Sequence, residues 1–385
     1  MRTIHILYSA TFALVLVALS LASMPNLFRF SAAGETTFLN GKLTHAIEKH
    51  YDKGFPVKEF GTNVWAAVEY GLFGEGRPGV VIGRDGWLFT SEEFKPATKP
   101  DQVEDNWKLI TRVRDELRSR GIQLQVVLLP AKARLYPEFV AEQRPVAEQQ
   151  ALYDQARERL GQLGLQGADL YVALEGGKQQ GLVFLRTDTH WTPLGAELAA
   201  RAVADDLQRR HLLPHGELSY ATRQVGSETH KGDLLSYLPL DPYFAAMQPA
   251  KEPLEKRVTE QSGDGAGGDL FGDSAPQVAL VGTSYSANPK WNFLGALRQS
   301  LGTDLYNYAE DGHGPLVPML RLLAKGEEET QGLKLVLWEV PERYLTLPSD
   351  LSEFDPQWLA QLGSGHEPAQ QQLAAKGPAK SVAAP

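Results

Sequence analysis

Cysteine occurs at none of the 385 positions. Its absence excludes disulfides, thiol nucleophiles and Cys-ligated zinc, and it suits an oxidising compartment without requiring one. A basic surplus is missing as well. Lys and Arg total 38 against 47 Asp and Glu, a net charge of −9, which argues against generalised binding to nucleic acid. The nine histidines show no ligand spacing, so neither a metal site nor a cofactor is expected. No internal repeat is visible. Long apolar runs are confined to one place, Ile6 to Phe28, 23 uncharged residues between Arg2 and Arg29. That length can span a bilayer as an anchor. A signal segment over Ile6 to Met24, cleaved near Leu21-Ala22-Ser23, is the competing reading. Arg2 favours a cytoplasmic N-terminus and an exported body.

What is present is the material of a globular protein. The 43% hydrophobic and 22% charged content supports one large α/β domain with extensions. Residues 1–29 read as signal or anchor and 30–79 as a weakly periodic approach segment. Residues 80–350 read as the main domain, interrupted by an insertion or lid over 215–273, and 363–385 as a disordered Gln-, Ala- and Pro-rich tail. Val80 to Phe89 predicts two short strands about an Asp85-Gly86 turn. Beyond it, helices around Val103–Leu117, Val146–Leu163, Trp291–Leu301 and Leu316–Leu323 alternate with strands at Ile122–Leu129, Asp169–Ala173, Gln277–Val281, Asp304–Ala309 and Leu333–Val340. That rhythm predicts a mainly parallel sheet with helices on both faces. The insertion carries Lys231-Gly232-Asp233-Leu234 and is expected to be mobile near Gly263–Gly268.

The chemistry concentrates in Thr187-Asp188-Thr189-His190-Trp191-Thr192-Pro193. Asp188 and His190 sit on a loop ahead of a helix that Pro193 suits as a first-turn residue. Leu194, Leu198 and Ala202 are read as its apolar face. A carboxylate that orients an imidazole makes a general base, which needs a nucleophile. Ser284, 96 residues on, follows the apolar run Gln277–Val281 at a strand-to-helix turn, where helix amides can meet an oxyanion. Ser274, in Gly272-Asp273-Ser274, has no strand before it, so Ser284 is preferred.

These pieces together resemble the alginate O-acetyltransferase family, the AlgJ/AlgX-like branch of SGNH hydrolase-like proteins. The resemblance is carried by Gly83-Arg84-Asp85-Gly86-Trp87-Leu88-Phe89, Asp188-Thr189-His190-Trp191, Gly282-Thr283-Ser284-Tyr285-Ser286 and Trp338-Glu339-Val340-Pro341-Glu342-Arg343, in that order. It implies a three-layer SGNH hydrolase-like fold whose Asp/His block precedes the serine block, a circular permutation of the usual order. It also implies a triad of Asp188, His190 and Ser284. Two departures from general SGNH enzymes stand out: an Asp–His spacing of two, and Glu339-Val340-Pro341-Glu342-Arg343 where Gly-x-Asn-Asp is usual. The expected oxyanion donors are the Ser284 amide and a second from Gly312 or Gly314. AlgX-like members carry a further C-terminal polymer-binding domain, for which this chain leaves no room, so the AlgJ-like side is expected.

The implied activity is periplasmic O-acetylation of alginate at the inner membrane through an acetyl-serine. A membrane-bound acetyl-donating acyltransferase and other alginate acetylation and export proteins are the implied partners. A carbohydrate acetylesterase and a non-catalytic export scaffold remain as alternatives. Trp191 reads as packing for the loop, and His313 as a turn histidine, with a ligand or a second base as the other readings. Arg343 and Tyr344 read either as binders of a sugar carboxylate or as part of a surface ion pair.

Overall fold

The structure, a computed structural model, describes residues 2–31, 41–55, 57–99, 101–141, 144–262 and 275–364. The chain opens with α1 (Arg2–Phe28), α2 (Lys42–Lys53) and α3 (Lys58–Val68), and α3 runs on as a π-helical turn over Glu69–Phe73. Next come β1 (Val80–Ile82), β2 (Leu88–Thr90), α4 (Gln102–Ser119), β3 (Gln123–Leu129), α5 (Lys132–Leu135), α6 (Ala147–Gln162), α7 (Leu170–Gly177) and α8 (Pro193–Arg209). The rest is β4 (Tyr220–His230), β5 (Glu252–Gln261), β6 (Val278–Val281), α9 (Ser284–Ala287), α10 (Phe293–Leu301), β7 (Leu305–Asn307), α11 (Leu316–Ala324), α12 (Glu327–Thr330), β8 (Leu335–Pro341) and α13 (Pro356–Gln361). The described residues fall into two compact units, one within 1–77 and 236–248, the other within 78–235 and 249–385.

The larger unit is organised by a parallel sheet in the order β3-β8-β6-β7. Its three long strands are apolar almost throughout, as strands covered on both faces must be. Alternate residues serve opposite cores. Val127, Leu129, Leu280 and Leu337 pack with residues of α7, α8 and α10. Val126, Leu128, Val281 and Trp338 pack with residues of α4, α6 and α11. The result is a three-layer α/β fold in which each fully buried Leu or Val contributes about 1.5–3 kcal/mol of burial energy.

The predicted β1–β2 turn forms as expected. Asp85 and Gly86 are both left-handed (φ 53° and 76°), and the Trp87 N–H donates to Arg84 O at 3.0 Å. This is the I′ geometry that suits a tight hairpin. Two local expectations fail. Asp169–Ala173 is the start of helix α7, because the Asp169 carboxylate caps it by accepting from Tyr171 N and Val172 N. On α8 the buried stripe is Ala196, Ala199, Ala200, Val203, Ala204 and Leu207; Leu198 and Ala202 only flank the core. Small residues let this helix pack closely against α10 and α7, so its inner face is poor in leucine.

The stretch read as an insertion is built on a long antiparallel ribbon, β4 on β5, whose last rung pairs His230 with Glu252. The loop joining them runs through 231–251, and its middle belongs to the smaller unit. There the Asn63 amide donates to Pro239 O at 2.8 Å, Phe60 meets the Tyr243 ring edge-on, and the Arg77 N–H donates to Tyr237 O. In that unit too, Ile4–Phe28 is long and apolar enough to cross a membrane, with a mean hydropathy of 2.1. The expected mobile stretch at Gly263–Gly268, the Gly272-Asp273-Ser274 sequence and the tail beyond residue 364 lie outside the described residues.

Candidate active site

At the end of β6 the chain turns through Gly282 and Thr283 and opens α9 at Ser284. The turn is held from beneath by Glu339, in the adjacent strand β8 and fully buried. Its carboxylate accepts from Thr283 N at 2.7 Å, from the Thr283 hydroxyl at 3.0 Å and from the Ser286 hydroxyl at 3.1 Å. Burial pushes the Glu339 carboxyl above its ordinary range, and the bonds from Thr283 and Ser286 pull against that. A carboxyl inside an apolar strand is tolerated only when its oxygens are used this fully.

The Asp–His loop is clamped with equal thoroughness. Phe184 bridges Trp191 across it, and the Leu185 N–H donates to His190 O at 3.1 Å. The buried Lys132 ammonium donates to three carbonyls: Leu88 O at 2.6 Å, Arg186 O at 2.9 Å and Asp188 O at 2.9 Å. From the ribbon, Glu252 accepts from Arg186 N at 2.8 Å, Thr187 N at 2.7 Å and the Thr187 hydroxyl at 2.7 Å.

These supports bring Asp188, His190 and Ser284 into one line. His190 Nδ1 lies 2.7 Å from Asp188 Oδ1, and His190 Nε2 lies 2.7 Å from Ser284 Oγ. An ionised carboxylate can only accept, so Nδ1 carries the proton and Nε2 is free to accept from the serine hydroxyl. Burial alone would raise the Asp188 carboxyl. Hydrogen bonds from His190 and His230 outweigh it and hold the group well below the usual range. The Trp291 indole stacks on the His190 ring at 4.9 Å and donates from Nε1 to Ser284 O at 3.2 Å. Asp233 borders the pair: its Oδ1 accepts from Thr189 N at 2.8 Å. Burial and then the Asp188 charge raise its carboxyl. Asp188, His190 and Asp233 offer ligand atoms within 4.8 Å of one another, but Asp188 and His190 already spend theirs on each other.

Residues 80–342 match the family described as "SGNH hydrolase-like domain, acetyltransferase AlgX". The chain belongs to this family. The probable alginate O-acetylase AlgJ of Pseudomonas aeruginosa is 52% identical over 369 residues, 94% of each chain. The O-acetyltransferase domain of Pseudomonas putida AlgJ superposes with a TM-score of 0.69 at 47% identity, covering 75% of this chain and all of that one. Pseudomonas aeruginosa AlgX gives 0.54 at 25% identity, over 68% of this chain and 61% of that one. The fold is thus the SGNH hydrolase-like one, with the Asp/His loop ahead of the serine in the chain.

Against that family background the other flagged residues fall into place. Trp191 is fully buried against Phe293 and Tyr285, as packing for the loop. Arg343 is neither a surface residue nor directed at solvent. It is buried, donating from Nη1 to the Tyr285 hydroxyl at 3.2 Å and from Nε to Glu92 at 2.9 Å. Tyr285 in turn donates to Thr189 O at 2.7 Å, so Arg343 braces the Asp–His loop through a tyrosine. Tyr344 lies under the Arg343 guanidinium at 4.7 Å and against Gly314. Gly312 and Gly314 occupy left-handed positions (φ 79° and 66°) on the loop after β7, whose start is tied to the serine turn by the bond from Glu310 N to Gly282 O. His313 is exposed on the same loop.

Sequence reasoning missed His230, Glu252, Lys132 and the inward aim of Glu339. For the last two a signal existed: single charges set in or beside apolar strand sequence. His230 and Glu252 sat in polar surroundings and reach the site only through the ribbon's pairing.

Proposed function

We propose that the chain is a serine-dependent O-acetyltransferase that acetylates the exopolysaccharide alginate. One observation carries the chemistry: the unbroken run from Asp188 Oδ1 through His190 to Ser284 Oγ, with both links at 2.7 Å. Alginate as acceptor rests on the relatives named as probable alginate O-acetylases. In the first half-reaction Ser284 Oγ bonds to the acetyl carbonyl carbon while its proton passes to His190 Nε2. The tetrahedral intermediate collapses, and the leaving oxygen of the donor departs with that proton. An alginate hydroxyl then gives its proton to His190, attacks the acetyl-serine, and Ser284 recovers its hydrogen. Asp188 stays ionised and holds the imidazolium. The Ser284 amide receives the oxyanion, with Gly312 or Gly314 as the second donor.

The apolar helix over Ile4–Phe28 would anchor the enzyme in the inner membrane with its body in the periplasm. Acetyl groups would reach it from a membrane-bound acyltransferase working with the other alginate acetylation and export proteins. The test is mass spectrometry of the protein after brief exposure to an acetyl ester. Acetyl on Ser284, absent in Ser284→Ala, is expected; turnover with acetyl on another residue, or undiminished turnover by Ser284→Ala, would overturn the assignment.

A further inference from the structure

Asp188 is shared by two imidazoles. Its carboxylate has about four lone-pair positions, and the structure fills all of them. Oδ1 accepts from His190 N at 2.9 Å and His190 Nδ1 at 2.7 Å. Oδ2 accepts from His230 Nε2 at 2.7 Å and Asp233 N at 3.0 Å. Both donors to Oδ2 come from the end of β4 and the turn that follows, more than forty residues further along the chain. His230 is buried (6% exposed), and its ring meets Trp291 edge-on at 5.8 Å. The face of that same indole stacks on His190. One tryptophan therefore fixes both imidazoles that address the aspartate.

We propose that His230 is a positioning residue for the transfer reaction, acting through Asp188; this rests on the triad assignment above. The physical reason is rotation. A carboxylate whose Oδ2 is held by the Asp233 N–H alone is freer to swing about its Cβ–Cγ bond and carry Oδ1 off the His190 N–H. Donors on Oδ2 pin the plane. An imidazole N–H does this without the permanent positive charge that would offset the negative charge His190 needs when it becomes an imidazolium. An ammonium or guanidinium in the same place would cancel it. A purely structural histidine in this cleft would be satisfied by any backbone carbonyl; His230 instead donates to the one carboxylate that supports the base.

The experiment uses the full-length protein in detergent or membranes, with kcat and KM measured on a chromogenic acetyl ester and normalised to folded protein by near-ultraviolet circular dichroism. His230→Phe keeps the ring volume and removes the donor; His230→Gln returns an N–H at similar reach. His230→Phe is expected to lower kcat by about 10–100-fold, the scale of a misplaced catalytic group, with KM within about twofold. His230→Gln is expected to stay within about fivefold of the native rate. In an Asp188→Asn background His230→Phe should cost nothing further, because its effect has no receiver left.

A native rate for His230→Phe would overturn the proposal. So would equal losses in the Phe and Gln variants, or losses that multiply in the double variant. An active Ser284→Ala protein would instead bring down the triad assignment itself. An inactive Ser284→Ala beside a native His230→Phe would remove only the role of His230.

Discussion

Lys132 offers a way to loosen the Asp188–His190 loop without touching the side chains of the proposed triad. Its ammonium is 1% exposed and lies 5.2 Å from the Trp87 and Phe89 ring centres. It has three N–H groups for three carbonyls, those of Leu88, Arg186 and Asp188. Burial pulls its pKa down to about 8, against the upward pull of Glu93, Glu252, Asp188 and Asp233. Above that pH the amine keeps two N–H groups, so one buried carbonyl loses its donor at a cost of about 1–3 kcal/mol. That cost falls on the backbone carrying Asp188 and His190, where a shift of about 1 Å is worth on the order of 100-fold in rate. We expect acetyl release from a chromogenic ester, corrected with Ser284→Ala, to fall at least about tenfold between pH 8 and 9.5.

Unfolding would not explain that fall. The native pKa lies below the unfolded value of 10.5, so between pH 8 and 10.5 the unfolded chain holds a proton that the native one has lost. Stability from this group therefore rises with pH in the window, by up to about 1.4 kcal/mol per pH unit. Lys132→Met fills the volume and donates nothing. It should lose about 2–4 kcal/mol of stability, since three carbonyls lose a donor, Arg186 O alone keeping the Leu88 N–H, against a charge no longer buried. Its residual activity should lack the alkaline decline. A Lys132→Met protein with the native rate and the native pH profile would refute the reasoning.

Gly232→Ala should be more damaging to activity than to stability. A Cβ there would lie 2.1 Å from Thr187 O, so the turn bearing Asp233 must retreat from the loop, at about 1–3 kcal/mol; an unchanged rate would contradict this. Ser284→Ala should abolish ester turnover and remove acetyl groups from alginate made by cells, while Ser274→Ala leaves most of both, and the reverse ranking would exchange the two serines. A reporter fused after Phe73 should be active only where exported proteins are, with the chain sedimenting with membranes; soluble exported protein would mean the apolar helix is cleaved off.

The parallel sheet and the pairing of Asp188 with His190 were legible because their signals are local. Apolar runs ending at Leu129, Val281 and Val340 mark strands buried on both faces, and Asp188 and His190 lie two residues apart. The failures are equally physical. Asp169–Ala173 has a strand-like composition, but the Asp169 side chain caps two amides and tips it into a helix. Arg343 reads either as a binder of a sugar carboxylate or as part of a surface ion pair; its guanidinium is buried, on the Tyr285 hydroxyl and a half-exposed Glu92. The grip of Glu252 on Thr187 spans 65 residues, and no periodicity in either stretch encodes it. Such contacts come from the antiparallel register of the ribbon, which pairs His230 with Glu252 and so presents both to one loop.

The loop between those two residues has a consequence for dissecting the protein. Its stretch 236–248 clusters with residues 1–77, so the chain passes between units at 77/78, 235/236 and 248/249. A single cut at residue 78 cannot part them. It would discard Asn63, Phe60 and Arg77, which hold Pro239, Tyr243 and Tyr237, and leave that stretch bereft of its partners. What is left dangling is strung directly between His230 and Glu252. Trimming the end that carries the apolar helix is therefore not a neutral shortening, because the freed segment is tethered at both ends to residues that hold the Asp188–His190 loop.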